Sequence, residues 1–417
     1  MPNDAEILRT LFEAALNAAL PEGKFDAVLP EKPKGRTIVL GAGKASARMA
    51  AAFEEAWARV GGTCEGLVVT RYGHAAPTRS VEIVEASHPV PDEAGLQAAR
   101  RILALAREAG PDDLVVCLIS GGASALLSLP VEGVSLADKQ ALNRALLKSG
   151  APIGEMNLVR KSLSAIKGGR LAAAVGQAQL VTYLISDVPG DDPSSIGSGP
   201  TIPERIDPET ALSILRRYDI DVPLHVEEAV RRNAIDLPAS GGAVHMLATP
   251  KMALDSAAAK AREFGLTPLI LGDAVEGEAR EVGRTMAGIA RSVLMHGEPV
   301  GPPCVLLSGG ETTVTVRGQG QGGRNAEFLL ALALALKGGP SASAIACDTD
   351  GIDGSEDNAG AWFDPSLYDQ ARARGIDLAL HLDRNDAYTA FAELDRLVVT
   401  GPTLTNVNDF RGILIRK

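Results

Sequence analysis

Short apolar runs alternate with helical patterns along almost the whole chain, and this alternation most restricts the folds open to it. TIVLGAG (37–43) precedes the helical KASARMAAAFEEAWARV, and GLVVTRYG (66–73) and VEIVEASHPVP (81–91) follow. A helical stretch from about Asp92 to Ala109 then leads to LVVCLISGG (114–122). Beyond it, a long helical stretch with a turn near Pro152 runs to about Val175 and gives way to LVTYLISDVPGDD (180–192). The second half repeats the theme with VHMLATP (244–250), TPLILGD (267–273), PCVLLSGGETTV (303–314) and SAIACDTDGIDG (343–354). A last strand is predicted in RLVVTGPTLTNVND, before FRGILIRK.

Strand–helix–strand order of this kind specifies α/β layers with parallel strands, whose runs are apolar because both faces are covered. A chain of 417 residues exceeds one ordinary core. The expected break lies in the Pro/Gly-containing stretch at 223–242. It separates a Rossmann-like, doubly wound domain over 1–238 from a C-terminal α/β domain over 239–417. Aromatics make up only 4% of residues, which suits helices packed closely on strands better than a β-sandwich.

Ligands of doubly wound sheets sit at the carboxyl ends of the strands, where this chain places its Gly-rich and Asp-rich turns. GAGKAS (41–46) puts Gly43 and Lys44 at a helix start, a position suited to an anionic group or to a solvated first-turn lysine. It is not a dinucleotide fingerprint: Ser46 stands where the third glycine belongs, and the next strand ends in Thr70-Arg71 without an acid. It also lacks the spacing of a phosphate-binding P-loop. The strand-then-Ser-Gly-Gly pattern occurs twice, as Ser120-Gly121-Gly122 and Ser308-Gly309-Gly310.

DTDGIDG brings Asp348, Asp350 and Asp353 to one strand end. These form either an Asx-stabilised turn or a Mg²⁺- or substrate-binding group, since three neighbouring carboxylates repel unless a cation is near. In SDVPGDD, Asp187 follows an apolar run directly, and Asp191-Asp192 follow a Pro-Gly turn. GGRNAEF sets Arg324 and Asn325 at a helix start with Glu327 in the first turn, and an arginine there is a natural bidentate clamp for carboxylate or phosphate. NLVRKSLSAIKGGRLA ends in Lys167-Gly168-Gly169-Arg170, either a basic surface or, through its Gly pair, a close approach of backbone.

A net charge of −11 lacks the basic footprint of a nucleic-acid partner, although it leaves room for a local anion pocket. The four cysteines show no metal-ligand spacing and read as reduced thiols of a cytoplasmic protein. FLLALALAL (328–336) falls far short of the roughly 20 residues of a membrane helix, so no membrane partner is expected. Six scattered histidines fit neither a hydrolase triad nor H-E-x-x-H.

Taken in order, TIVLGAGKAS, LISGGASAL, MNLVRKSLSAIKGGRLA, YLISDVPGDDPSSIGSGPT, LSGGETTVTVRGQGQGGRNAEF, ACDTDGIDG and GPTLTNVNDFRGILI resemble the type II glycerate kinases, the glycerate 2-kinase family, over residues 37–415. Some members of that family carry the label hydroxypyruvate reductase. The resemblance implies ATP- and Mg²⁺-dependent phosphorylation of D-glycerate at its 2-hydroxyl, with the active site in a cleft between two α/β domains. It also suggests roles: Lys44 on the transferred phosphoryl group, Asp187 as base or metal ligand, and Arg324 as the clamp. Gly43, Lys167, Asn325 and the two Ser-Gly-Gly turns become candidates for substrate and ATP contacts, and Asp191, Glu311 and Asp350 join Asp187 as candidate metal ligands.

Overall fold

The computed structural model describes residues 2–236, 242–337 and 342–416. The expected boundary at 238/239 lies outside the described residues, but the strand Ala243–Ala248, expected in the C-terminal domain, pairs into the first sheet, so the units part at Leu247/Ala248. The chain forms two compact units, one of Pro21–Leu247 and one of Met1–Leu20 with Ala248–Lys417. Both are α/β, as the alternation of runs implies.

In the Pro21–Leu247 unit, strands β1 (Thr37–Ala42), β2 (Glu65–Arg71), β3 (Val81–Ala86), β4 (Leu114–Ser120), β5 (Gln179–Ile185) and β6 (Ala243–Ala248) form one sheet in the order β3-β2-β1-β4-β5-β6. The first five are parallel. The sheet is Rossmann-like and doubly wound, as expected from the sequence, and its strand order reverses between β1 and β4. Both of those strands are buried along their whole length, hence their unbroken apolar runs. Helix Glu93–Arg107 lays Leu96, Ala99, Ile102 and Leu103 on this core.

The long helix expected up to Val175 is instead broken into Ile153–Ser162 and Arg170–Val175. The Gly168 and Gly169 amides donate to the Ser198 and Gly199 carbonyls at 3.1 and 2.8 Å. Gly169 has φ +82°, and a Cβ there would lie 2.5 Å from Pro203 Cα. The Gly pair is therefore a close approach of backbone that a helix could not make.

The C-terminal unit contains β7 (Thr267–Gly272), β8 (Cys304–Ser308), β9 (Ala342–Asp348), β10 (Gly360–Phe363), β11 (Leu397–Val398) and β12 (Asp409–Ile415), in the order β11-β10-β9-β12-β8-β7. Within this sheet, among the described residues, β7 and β8 pair in parallel and the other pairings are antiparallel. The last predicted strand shrinks to Leu397–Val398, and the terminal segment, buried at every position, becomes the centre of the sheet.

Residues 1–20 join this unit, although the sequence reading assigned them to the N-terminal domain. Helix Asp4–Ala19, opened by an Asn3/Glu6 capping box, buries Ile7, Leu8, Leu11, Phe12 and Ala15. Phe12 meets Phe410 of β12 with ring centroids 5.8 Å apart, and Thr405 donates to the Ala19 carbonyl at 2.8 Å. Cys117, Cys304 and Cys347 are buried free thiols. Among the described residues, no helix is long and apolar enough to cross a membrane.

Candidate active site

The sheet of the Pro21–Leu247 unit opens at its β1/β4 switch point, and the two turns that leave those strands are stitched together. Lys44 N–H donates to the Gly121 carbonyl at 2.8 Å, and Ala45 N–H to Ser120 Oγ at 3.0 Å. Ser46 Oγ lies 3.2 Å from Ser120 Oγ and donates to the Leu118 carbonyl at 3.0 Å. The Ser120 side chain thus fastens one turn to the other. Gly43 allows this closeness, since a Cβ there would stand 2.1 Å from Ser120 Oγ, and its φ of +137° suits glycine alone. A Cβ on Gly122 would meet Lys44 Cγ and the His88 ring, each at 3.2 Å. Lys44, Gly122 and His88 therefore surround one spot at the switch point, where the first helical turn after β1 begins.

Ile185 is the register partner of Ser120, so Asp187, two residues beyond β5, lies on the same sheet edge as Gly121-Gly122. Asp191 closes the following turn with φ +54°, its amide donating to the Val188 carbonyl. Lys167 is fully buried and donates to the Ser124 carbonyl at 2.7 Å. Burial, reinforced by Lys139, Arg160 and Lys161, pushes its pKa well below the ordinary lysine value.

The C-terminal unit gathers a different cluster. Arg324 Nε lies 2.9 Å from Asp409 Oδ1, Nη2 lies 2.6 Å from Asp348 Oδ2, and Nη1 lies 3.1 Å from Glu311 Oε1. Burial opposes the charge on Arg324, but the three carboxylates outweigh it and raise its pKa. Asp409 also accepts from Asn325 Nδ2 at 2.8 Å and from Arg411 at 2.6 Å. The fork expected to clamp a ligand is thus occupied by the protein's own carboxylates.

The second Ser-Gly-Gly turn is committed in the same way, with Gly309 N–H donating to the Gly272 carbonyl at 2.8 Å. Gly322, Gly323, Arg324, Glu327 and Asn385 line a cavity of about 240 Å³ beside this cluster. In the 348–354 loop, Asp350 Oδ1 accepts the Ile352 amide at 2.9 Å, the bond of an Asx turn. Among the described residues, no three His, Cys, Asp or Glu stand together as a metal-holding group. Asp187 and Asp191 belong to one unit, Glu311 and Asp350 to the other. Arg324 already supplies the positive charge that Asp348, Asp409 and Glu311 require, so these residues fit a resident metal poorly.

Asp353 caps helix Arg324–Leu336 from outside, accepting the Asn325 amide at 3.0 Å and the Ala326 amide at 2.9 Å. Burial outweighs those bonds, with Asp409 adding to it, and the carboxyl is pushed up to about 6. A carboxyl raised above its unfolded value near 3.9 contributes stability that is present at low pH and lost as pH rises through about 6. The stability advantage of the natural protein over Asp353→Asn is therefore expected to shrink between pH 4 and pH 6. Denaturant midpoints across that range test this, and a constant difference would rule it out.

The sequence reading missed His88, Asp409 and Arg411, and it named Asp353 only as a member of the 348–354 carboxylate cluster, not as a helix cap. An Asp and an Arg spaced two apart at the head of the apolar run DFRGILI were the available signal for the last pair.

The chain matches two family descriptions, a domain of unknown function (DUF4147) over residues 7–232 and the MOFRL family over 304–409. An Agrobacterium vitis protein provisionally named hydroxypyruvate reductase is 55% identical over 415 residues, 98% of this chain and 94% of that protein. The D-glycerate 2-kinase of Thermotoga maritima is 40% identical over 412 residues, 97% of this chain and 98% of that enzyme. A crystal structure of glycerate kinase from Thermotoga maritima aligns with a TM-score of 0.89 at 39% identity, covering 98% of this chain and 99% of that one.

Proposed function

The chain belongs to the glycerate kinase family, and on that premise we propose that it transfers the terminal phosphoryl group of ATP to the 2-hydroxyl of D-glycerate, giving 2-phospho-D-glycerate and ADP. The likeness to a D-glycerate 2-kinase over 97% of the chain is the observation that carries this reading.

Phosphoryl transfer asks a protein for charge neutralisation and in-line positioning more than for covalent chemistry. Lys44, beside Gly122, stabilises the charge of the moving phosphoryl group. Asp187, on the same edge, accepts the proton of the 2-hydroxyl as its oxygen bonds to phosphorus. The bond from phosphorus to the bridging oxygen breaks, and ADP leaves. Magnesium enters as part of the substrate, bound to ATP. Arg324 acts as a positioning residue that holds Glu311 and Asp348 beside the Gly-rich 317–323 segment. The setting is the cytoplasm.

Reduction of hydroxypyruvate is the reading suggested by the name of the Agrobacterium vitis relative. It is weakened for NADH by β2, which ends in Thr70-Arg71 without the acid that would hold the adenosine ribose of that cofactor.

With D-glycerate and Mg·ATP the purified protein is expected to release ADP, to stop when EDTA is added, and to yield a product whose phosphorus resonance couples to the proton on carbon 2. Oxidation of NADH with hydroxypyruvate and no ADP release would overturn the proposal.

A further inference from the structure

The apolar face of helix Leu136–Ser149 carries one residue that does not belong there. Lys139, Leu142 and Leu146 are its buried positions, at the spacing of a core-facing stripe. Lys139 is only 8% exposed, and among the described residues its Nζ has no hydrogen-bond partner. It lines a cavity of about 260 Å³ that also takes in Arg160, Lys167, Leu142, Leu163 and Gly122. Among the described residues, no Asp or Glu lines this cavity. Among the described residues Arg160 is held by neutral groups, donating to Asn143 Oδ1 at 2.9 Å and Asn157 Oδ1 at 3.2 Å.

Lys139, Arg160 and Lys167, with the exposed Arg144 at the rim, line an apolar cavity without a carboxylate, an arrangement costly to maintain because buried charges ordinarily come paired. The strain shows in Lys139, where burial, with Arg160 adding to it, brings the pKa down to about 7. Such an arrangement persists where a bound anion supplies the missing charge. The anion must carry several charges and an apolar body. A three-carbon hydroxy acid offers one carboxylate and no surface for the leucines, whereas a nucleoside triphosphate offers a polyphosphate and a flat, largely apolar base. Gly122 also connects the cavity with Lys44, whose Cγ is within contact of it.

We propose that this cavity is the nucleoside triphosphate site, with the base against Leu142 and Leu163, the phosphates on Lys139, Arg160 and Lys167, and the terminal phosphate directed past Gly122 to Lys44. The assignment rests on the kinase reading, which left the nucleotide without a place.

Lys139→Met in the full chain tests it, since methionine keeps the length and removes the charge. The probe is Mg·AMP-PNP, titrated calorimetrically without glycerate. Its affinity is expected to fall at least ten-fold, with the KM for D-glycerate within two-fold of the natural value. Removing an unpaired buried charge should also raise the Tm of the ligand-free protein by roughly 2–4 °C. Unchanged AMP-PNP affinity overturns the assignment, and so does a raised KM for glycerate with AMP-PNP binding intact, which would place the hydroxy acid here. A lowered Tm overturns it too, by revealing an internal partner for Lys139. A natural protein that binds AMP-PNP through Lys139 yet phosphorylates no glycerate would overturn the kinase reading alone.

Discussion

Lys44→Ala is expected to lower kcat by about 10²-fold or more, the scale of losing one positioned electrostatic contact with a transition state. The backbone of Lys44 is fixed by the hydrogen bond its N–H donates to the Gly121 carbonyl, and Ser120 fastens the flanking residues; neither contact is made by the lysine side chain. That side chain is only half-buried, so its removal opens no core cavity. The variant should therefore keep its circular dichroism spectrum and Tm while losing turnover. Steady-state assays of ADP release give the comparison. A variant as active as the natural protein would leave Lys44 as a first-turn lysine with no chemical duty.

Arg324→Lys is expected to lower stability by about 3 kcal/mol, at the lower end of the cost of breaking a buried charge pair, and to raise the KM for D-glycerate or ATP at least several-fold. Charge is conserved, but geometry is not. Three separate guanidinium nitrogens face Asp409, Asp348 and Glu311, and a single ammonium cannot reach all three. Asp409 retains Arg411 at 2.6 Å, so the loss falls on Asp348, which is almost fully buried, and on Glu311, which is half-exposed. Denaturant unfolding gives the stability, and initial rates at varied substrate give the KM values. Natural stability together with natural kinetics would show that the three-carboxylate grip is dispensable.

The strands from β1 to β5 and the turns that follow them were legible from sequence because they depend on local information. A parallel strand covered on both faces is an apolar run, and a glycine after it marks a turn that no other residue makes easily. Lys44, the Ser120-Gly121-Gly122 turn and Asp187 could be nominated on that basis alone. The antiparallel place of β12 could not, since a strand buried on both faces reads alike in either direction. Nor could the assignment of residues 1–20, whose amphipathic pattern states that a partner exists without saying which surface it is.

The charged groups divide in the same manner. The sequence by itself determined that Arg324 begins a helix after a Gly-rich approach, and that carboxylates crowd the strand end at 348–353. Only the tertiary structure decided that Asp409, 85 residues away, shares that arginine, that Asp353 caps its helix, and that Lys139 and Lys167 face inward instead of into solvent. A lysine in a helical pattern reads as a surface residue, because exposure is the state that costs least. Its burial follows from what packs around it, and the energy of a charge is set by those distant neighbours and by the water they exclude.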